Sequence, residues 1–591
     1  MQTRLCPNRL VVSLATVCLT LGLWSDAVRT QRPSFYPDDP IAREPESQNA
    51  AGAQPYQQPD VYEQIRNLFV TPHYKPSGLR AQNINTIEEL PDSSWFTNRI
   101  GARTVTAEEI AVGAIVGPPP DPSHWVLIRE KTSGAHPGFT ARDARGDTFF
   151  IEFDPKPFPG GATAAVIMAS KIFWALGYNQ VETYLTRFDP KRVSIDPGAT
   201  ALRPSGARTP FTHDDVNAIL ENVAQDSDGT YRVVAGRLLP GKILGEFRYS
   251  GTRPDDPNDV VPHEYHRELR ALRVFGAWAN LTDLKEANTL DTLIGDKSRS
   301  LVRHYLQDVG STFGMPNDVH EWDLSWEHFY QTDTTLRRLW SFGFSLSPWQ
   351  TVHYDEYPSA GKFEGDVFDP RTWRPQMPTV AYLEMRPDDA FWAARRIAAF
   401  TDDLIRAAVH TGEFSDPEAE RHIVDVLIKR RNKIKQVYLP AVNPVVNPRL
   451  DTNGRLTFEN AAVSAGVARS PATYRTAWAR FDNTIGDRGP LTEASTSTTT
   501  VDAPYQLPNT IGSFVTVEIS AESAEHPAWS RPVRTYFRRE RNGWKLVGFE
   551  RLPEKIEMTT SVARCLAPAV RPSRENSRPS AADPAPAPCA R

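Results

Sequence analysis

AWANLTDLKEANTLDTLIGDKSRSLVRHYLQDVGSTFG, residues 277–314, is the stretch on which the reading of this chain turns. It holds Asp283, then Lys285, then Asn288. A turn-rich insert comes next, and residues 301–306 read as a strand that ends just before Asp308-Val309-Gly310. A carboxylate and an amide at a fixed offset, then a strand delivering a second carboxylate ahead of a glycine, suits hard oxygen ligands around a metal-bound phosphate. Each residue also has a plain structural use, since Asp and Asn are good turn formers. The order and spacing of the whole set, more than any one motif, point to chemistry.

Working outward, 591 residues allow several domains, and 40% apolar with 24% charged residues allows large cores. A net charge of −5 lacks the basic surplus of a general nucleic-acid binder. Residues 1–27 read as a secretory signal: Arg4 and Arg9, an apolar core at 10–24, and a small-residue exit with the cut expected after Ala27. No later segment is apolar enough to span a membrane, so a secreted or periplasmic protein is expected. Cys6 and Cys18 go with the signal. Cys565 and Cys589 either pair in an oxidising compartment or stay idle thiols.

Residues 28–60 are polar and Pro-rich and read as a disordered leader. Residues 61–123 read as an N-terminal arm with a short helix at 61–69, and Trp95 and Phe96 are expected to pack onto the next domain. Residues 124–250 give the order strand, glycine-bearing loop (Gly134, Gly138), strand, helix opened by Gly160-Gly161 and closed by Gly177, strand. Residues 251–444 are mainly helical, with helices expected at 262–280, 388–410 and 416–438. The run KRRNKIK at 429–435 reads as a solvated helical face. Residues 445–562 show short β-like runs, suggesting a small all-β, sandwich-like domain, and 563–591 is a Pro/Ala tail.

Strands with one helix, then a helical part carrying D-x-K-x-x-N and D-x-G, resemble the protein-kinase-like superfamily. TDLKEANTL is similar to the kinase catalytic loop at Asp283, Leu284, Lys285 and Asn288, and QDVG is similar to the metal-binding D-F-G. Leu281-Thr282 in place of His-Arg, Val309 inside the D-x-G, and the long gap from Asn288 to Asp308 place the resemblance in the atypical branch, with HipA-like, CotH-like and secretory-pathway kinases. A group of uncharacterised exported bacterial proteins is also similar, and implies no function. The kinase resemblance covers about residues 124–440. It implies an α+β, two-lobed domain that uses ATP and Mg2+. Asp283 would be the base, Lys285 would steady the phosphoryl group, and Asn288 and Asp308 would hold metal.

The phosphate-gripping half departs from that pattern. Glu152 stands where the strand lysine is expected, and Val166 stands near the helix position expected to carry a pairing carboxylate. Lys131 and Lys156 are the candidate replacement cations. Two functions are compatible with this: phosphoryl or nucleotidyl transfer to a hydroxyl of a protein, lipid or glycan, or a catalytically inactive pseudokinase that scaffolds an envelope partner. Other chemistries fit less well. His263-Glu264-Tyr265-His266 is one residue short of a zinc H-E-x-x-H, and Glu264 and His266 are expected to be solvated or paired with Arg267 or Arg270. The aromatics Trp322, Trp326, Tyr330, Trp340, Trp349 and Tyr354 read as packing ahead of a carbohydrate platform.

Overall fold

In this computed structural model the described residues are 34–552, apart from 42–45, 58–59, 132–135, 204, 297, 316–326, 343 and 347–350. The expected signal, the tail, Cys565, Cys589, Gly134, Trp322, Trp326 and Trp349 lie outside them. Among the described residues the fold is mixed α/β with four sheets.

The first sheet begins with a meander of β1 (Trp125–Glu130), β2 (Gly138–Arg142) and β3 (Thr148–Phe153). Helix α1 (Gly161–Leu176) comes next, then β4 (Thr183–Phe188), β5 (Val193–Leu202), β6 (Arg208–Pro210) and β7 (Tyr231–Arg237). The sheet order is β4-β7-β3-β2-β1-β5-β6. Side chains alternate across a strand. On β3 that alternation buries Phe149, Ile151 and Phe153 in an aromatic core with Phe139 and Phe188. It therefore turns Phe150 and Glu152 to the opposite face. Asp154 fixes the start of α1: its two carboxylate oxygens accept the amide and hydroxyl of Thr163 at 2.8 and 2.9 Å.

The diagnostic stretch forms the second sheet with β8 (Lys242–Gly245). Helix α2 (Arg267–Ala279) ends at Asn280, whose left-handed backbone turns the chain into the loop 281–288. Then β9 (Thr289–Asp296) and β10 (Arg299–Leu306) make an antiparallel hairpin, in register from Asp296 opposite Arg299 to Thr289 opposite Leu306. The long gap between Asn288 and Asp308 is this hairpin. It returns the chain to its start, so that Asp308 donates its amide to the Asn288 carbonyl at 3.0 Å.

Helices α3 (Pro387–Ala398), α4 (Asp402–His410) and α5 (Pro417–Tyr438) join α2 in the helical part, with α3 and α5 packed directly on it. The single helix expected at 388–410 is two, because Phe400 is fully buried at the break and Thr401 caps the amide of Leu404. Within 429–435, Arg430 and Arg431 are buried rather than solvated. Arg430 lies 4.2 Å over Phe363 and donates to the carbonyls of Glu364 and Ala277; the long apolar stem makes such burial feasible. His266 is buried too and pairs with Glu268 at 3.0 Å, while Arg267 and Arg270 go to Asp389.

The strands after residue 445 form a three-stranded and a six-stranded sheet. Their core residues Trp478, Val517 and Phe537 run without a break into the core of α2, α3 and α5. The arm packs as expected: Trp95 stacks on His304 at 3.5 Å, and Phe96 is fully buried. The described part of the 28–60 leader departs from the disordered reading. Phe35 packs among Phe481, Phe514 and Tyr536, and Ala50 and Ala53 are fully buried against Leu244 and Val302. These partners are hundreds of residues away, so local composition carries no sign of them.

Candidate functional site

A cavity of about 280 Å³ lies between the first sheet and the hairpin. Its apolar walls include Phe150, Val166, Val181, Leu239, Ile243 and Leu290. Glu152, Gln307 and Asp308 line it as well, and Thr183 and Arg237 add further polar groups. The volume is near the lower bound for pockets that hold small ligands. Val166 on α1 faces this space, so the helix offers a methyl surface where the kinase resemblance calls for a carboxylate.

Asp308 points at the cavity while its Oδ1 accepts the Gly310 amide at 3.0 Å. Gly310 is tightly placed, since a Cβ there would stand 3.0 Å from Val166. Asp308 is exposed on the wall of the cavity, although protein crowds its carboxyl on the other sides. That enclosure, then the charge of Glu152, raises its carboxyl above the usual range, against the Gly310 amide and Lys131. Glu152 behaves oppositely. Enclosure works against its charge, but Lys131 at 2.7 Å and then His136 overcome this and hold its carboxyl low. Lys131 is thus drawn to the cavity by Glu152. Lys156 is not: it is exposed in the turn after β3, with its amide on the Asn222 carbonyl.

Asn288 and Asp283 meet Asp308 from the loop side. The Asn288 side-chain amide donates to the Asp283 carbonyl at 2.9 Å, which leaves its Oδ1 with no donor among the described residues. Lys285 pairs with the Asp283 carboxylate at 2.9 Å. The structure therefore brings together Asp283, Lys285, Asn288, Asp308, Glu152 and Lys131, and leaves Lys156 apart.

A second set of residues around the loop was not legible in the sequence. The arm helix (Asp60–Ile65) runs into a π-helical turn (Arg66–Val70) and grips residue 286. Glu63 Oε2 accepts the Glu286 amide at 3.0 Å, and Arg66 donates to Glu286 Oε1 at 2.9 Å and to Glu63 Oε1 at 3.3 Å. Burial and then the neighbouring Glu286 push the Glu63 carboxyl up to about 7; Arg66 resists this and Asp283 adds to it. Tyr249 is buried beside the same carboxylates. The only local signal was Glu286, an extra acid inside D-L-K-E-A-N.

No protein-family model matches the chain, and no curated protein matches it. Among solved structures it is similar to the Golgi casein kinase with Mn/ADP bound, at 8% identity and a TM-score of 0.27, over 56% of this chain and 75% of that one. A second structure of the Golgi casein kinase gives 8% identity and a TM-score of 0.25, over 56% and 74%. Scores at this level do not establish a shared fold.

Proposed function

We propose that the chain is an exported, two-lobed, atypical-kinase-like phosphotransferase whose cleft binds a nucleotide with a divalent metal. The observation that carries the reading is the meeting of Asp283 and Asn288 with Asp308, which itself lines a largely apolar cavity. A flat apolar ring suits the Phe150, Val166 and Leu290 walls. The residues present fit a metal nucleotide: Mg2+ is held in such sites by one or two protein oxygens, with phosphates and water completing its shell. Asp308 and the Oδ1 of Asn288 would supply those oxygens. When bound, the metal neutralises phosphate charge and the nucleotide supplies the phosphoryl group.

The chain's own residues do the rest. Asp283 takes the proton of an acceptor hydroxyl, and Lys285 holds that carboxylate in place until phosphate oxygens compete for the ammonium. The Asn288-to-Asp283 hydrogen bond and the Asp308-to-Asn288 amide contact keep base and metal ligands in fixed relation. Lys131 is the cation available to the phosphates, through exchange of its Glu152 partner. The acceptor is a protein, lipid or glycan hydroxyl.

A second reading is favoured by one observation. Glu152 occupies the phosphate end and already satisfies Lys131, as in a scaffold that retains the cleft without turnover. Calorimetry with Mg2+ and ATP on the mature protein separates the two. Saturable binding with slow hydrolysis, abolished by Asp308→Ala, is expected; absence of binding at millimolar ATP overturns the enzyme reading.

A further inference from the structure

A different cavity, of about 360 Å³, lies on the arm side of the loop that carries Asp283. We propose that it is the acceptor pocket and that it takes an uncharged, polyhydroxylated group such as a sugar ring. The assignment as acceptor pocket rests on the phosphotransfer reading; the ligand chemistry rests on the cavity alone.

The described walls are Asn67, Thr71 and Pro72 of the arm, His328, Tyr330 and Gln331 of the segment leading into the 332–340 helix, and Gln376, Pro378 and Leu383. None of these is a carboxylate, a lysine or an arginine. Apart from the imidazole of His328, whose Nδ1 is taken up by the Pro375 carbonyl at 2.6 Å, an anion would find no countercharge among them and an ammonium none at all, so desolvating a charge in this space is unfavourable. What the walls offer is three side-chain amides, a phenol, a hydroxyl and an imidazole. An amide presents donors and an acceptor side by side, which matches a hydroxyl that both gives and receives. Tyr330 adds a ring face for the C–H side of a sugar.

Gln376 supplies the second observation. It is only 6% exposed. Its backbone is fully engaged, the amide on the Thr282 carbonyl at 2.9 Å and the carbonyl on the Phe329 amide at 2.8 Å. Its side-chain amide makes no hydrogen bond to a described residue, and it borders the cavity. An amide that borders a cavity and bonds to no described residue is free to bond to a polar occupant. Asn67, 3% exposed, donates to the Glu63 carbonyl at 2.9 Å and meets Thr71 at a long 3.3 Å.

The position also fits. Gln376 is bound to Thr282, the neighbour of Asp283 in sequence. Asn67 lies one turn beyond Glu63, which grips Glu286 inside the same loop. The residues lining this cavity and the one at Glu152 and Asp308 do not overlap, so donor and acceptor would occupy different cavities.

The test is ligand-detected saturation-transfer NMR on the mature protein, with methyl glycosides of glucose, galactose, mannose and N-acetylglucosamine, and glucose 6-phosphate as the charged control. At least one neutral glycoside should bind in the millimolar range, and the phosphate ester more weakly. Gln376→Leu, which removes an amide that bonds to no described residue, should weaken that binding on the order of three- to tenfold without lowering the melting temperature. Tyr330→Phe should weaken it less. No saturation with any of the four at tens of millimolar, or undiminished binding in Gln376→Leu, overturns the proposal. Asp308→Ala keeps the two readings apart, because it should abolish Mg-ATP binding and leave glycoside binding intact. Glycoside binding without nucleotide binding would sink phosphotransfer and leave the sugar pocket standing; nucleotide binding without any glycoside would do the reverse.

Discussion

Replacing Glu63 by glutamine should make the protein more stable in alkaline solution and leave it little changed in acid. The wild-type carboxyl is raised from 4.5 to about 7 in the fold. Below pH 4.5 it is protonated whether the chain is folded or not, and it then contributes nothing to pH dependence. Between 4.5 and 7 the folded protein holds a proton that the unfolded chain has lost, so stability falls as pH rises through that window. The full displacement corresponds to about 3 kcal/mol above pH 7. Glutamine has no such penalty and can still accept the Glu286 amide, while Arg66 keeps Glu286 at 2.9 Å. What is lost is the 3.3 Å contact between Arg66 and Glu63, worth about 1 kcal/mol. The net gain is therefore about 2 kcal/mol at pH 8, and a small loss is expected near pH 4.5. With an unfolding entropy of about 2.1 cal/mol/K per residue, a chain of 591 residues converts this into a melting temperature about 2 °C higher. The assay is a set of thermal melts of wild type and Glu63→Gln from pH 4.5 to 8.5. A difference that stays constant across that range would refute the idea that Glu63 carries its proton to neutral pH in the folded state.

Two further outcomes are expected from the same geometry. Glu152→Gln removes a negative charge from the cleft and frees Lys131, so Mg-ATP should bind about tenfold more tightly at low salt, an effect that shrinks as salt is added; weaker binding in the titration would mean that the Glu152 carboxylate serves as a ligand. Gly177→Ala should lower the melting temperature by several degrees, because residue 177 sits at φ +127 and a Cβ there would stand 2.1 Å from the buried Phe96 ring; an unchanged melt would show that the ring can move aside.

Asp283, Asn288 and Asp308 were legible because their contact is made by a local device. A hairpin of two eight-residue strands closes in register and puts its two ends side by side, and both the strand-like run at 301–306 and the turn residues before it are visible in the sequence. Glu152 was legible for a similar reason, since the period-two pattern of β3 decides which face it occupies. Glu63, Arg66 and Gln376 were not. Each reaches the loop across a long separation, 223 residues for Glu63 to Glu286, and no periodicity in the arm encodes a partner that far away. The buried Arg430 and Arg431 were missed because charge is a weak guide to burial when a long stem can lie on aromatic rings and the head can meet backbone carbonyls. The leader was misread because its anchors are single apolar residues in polar surroundings.

Those anchors bear on how the chain comes to be folded. The Phe35 amide donates to Asn483, 448 residues on, and Arg538 donates to the Tyr36 carbonyl across 502 residues. Loop closure over such spans cannot repay its entropy until the distant strand exists. The first described segment of the chain is therefore among the last to dock. Phe35 and Tyr36 therefore wait for residues 481–538, whereas Ala50, Ala53 and Tyr56, whose partners lie between Leu244 and Val302, can dock as soon as the second sheet exists. The arm can thus close over the Asp283 loop, through Glu63 and Arg66 on Glu286, before the last sheet is complete, and only the outermost tie at Phe35 waits for the end of the chain.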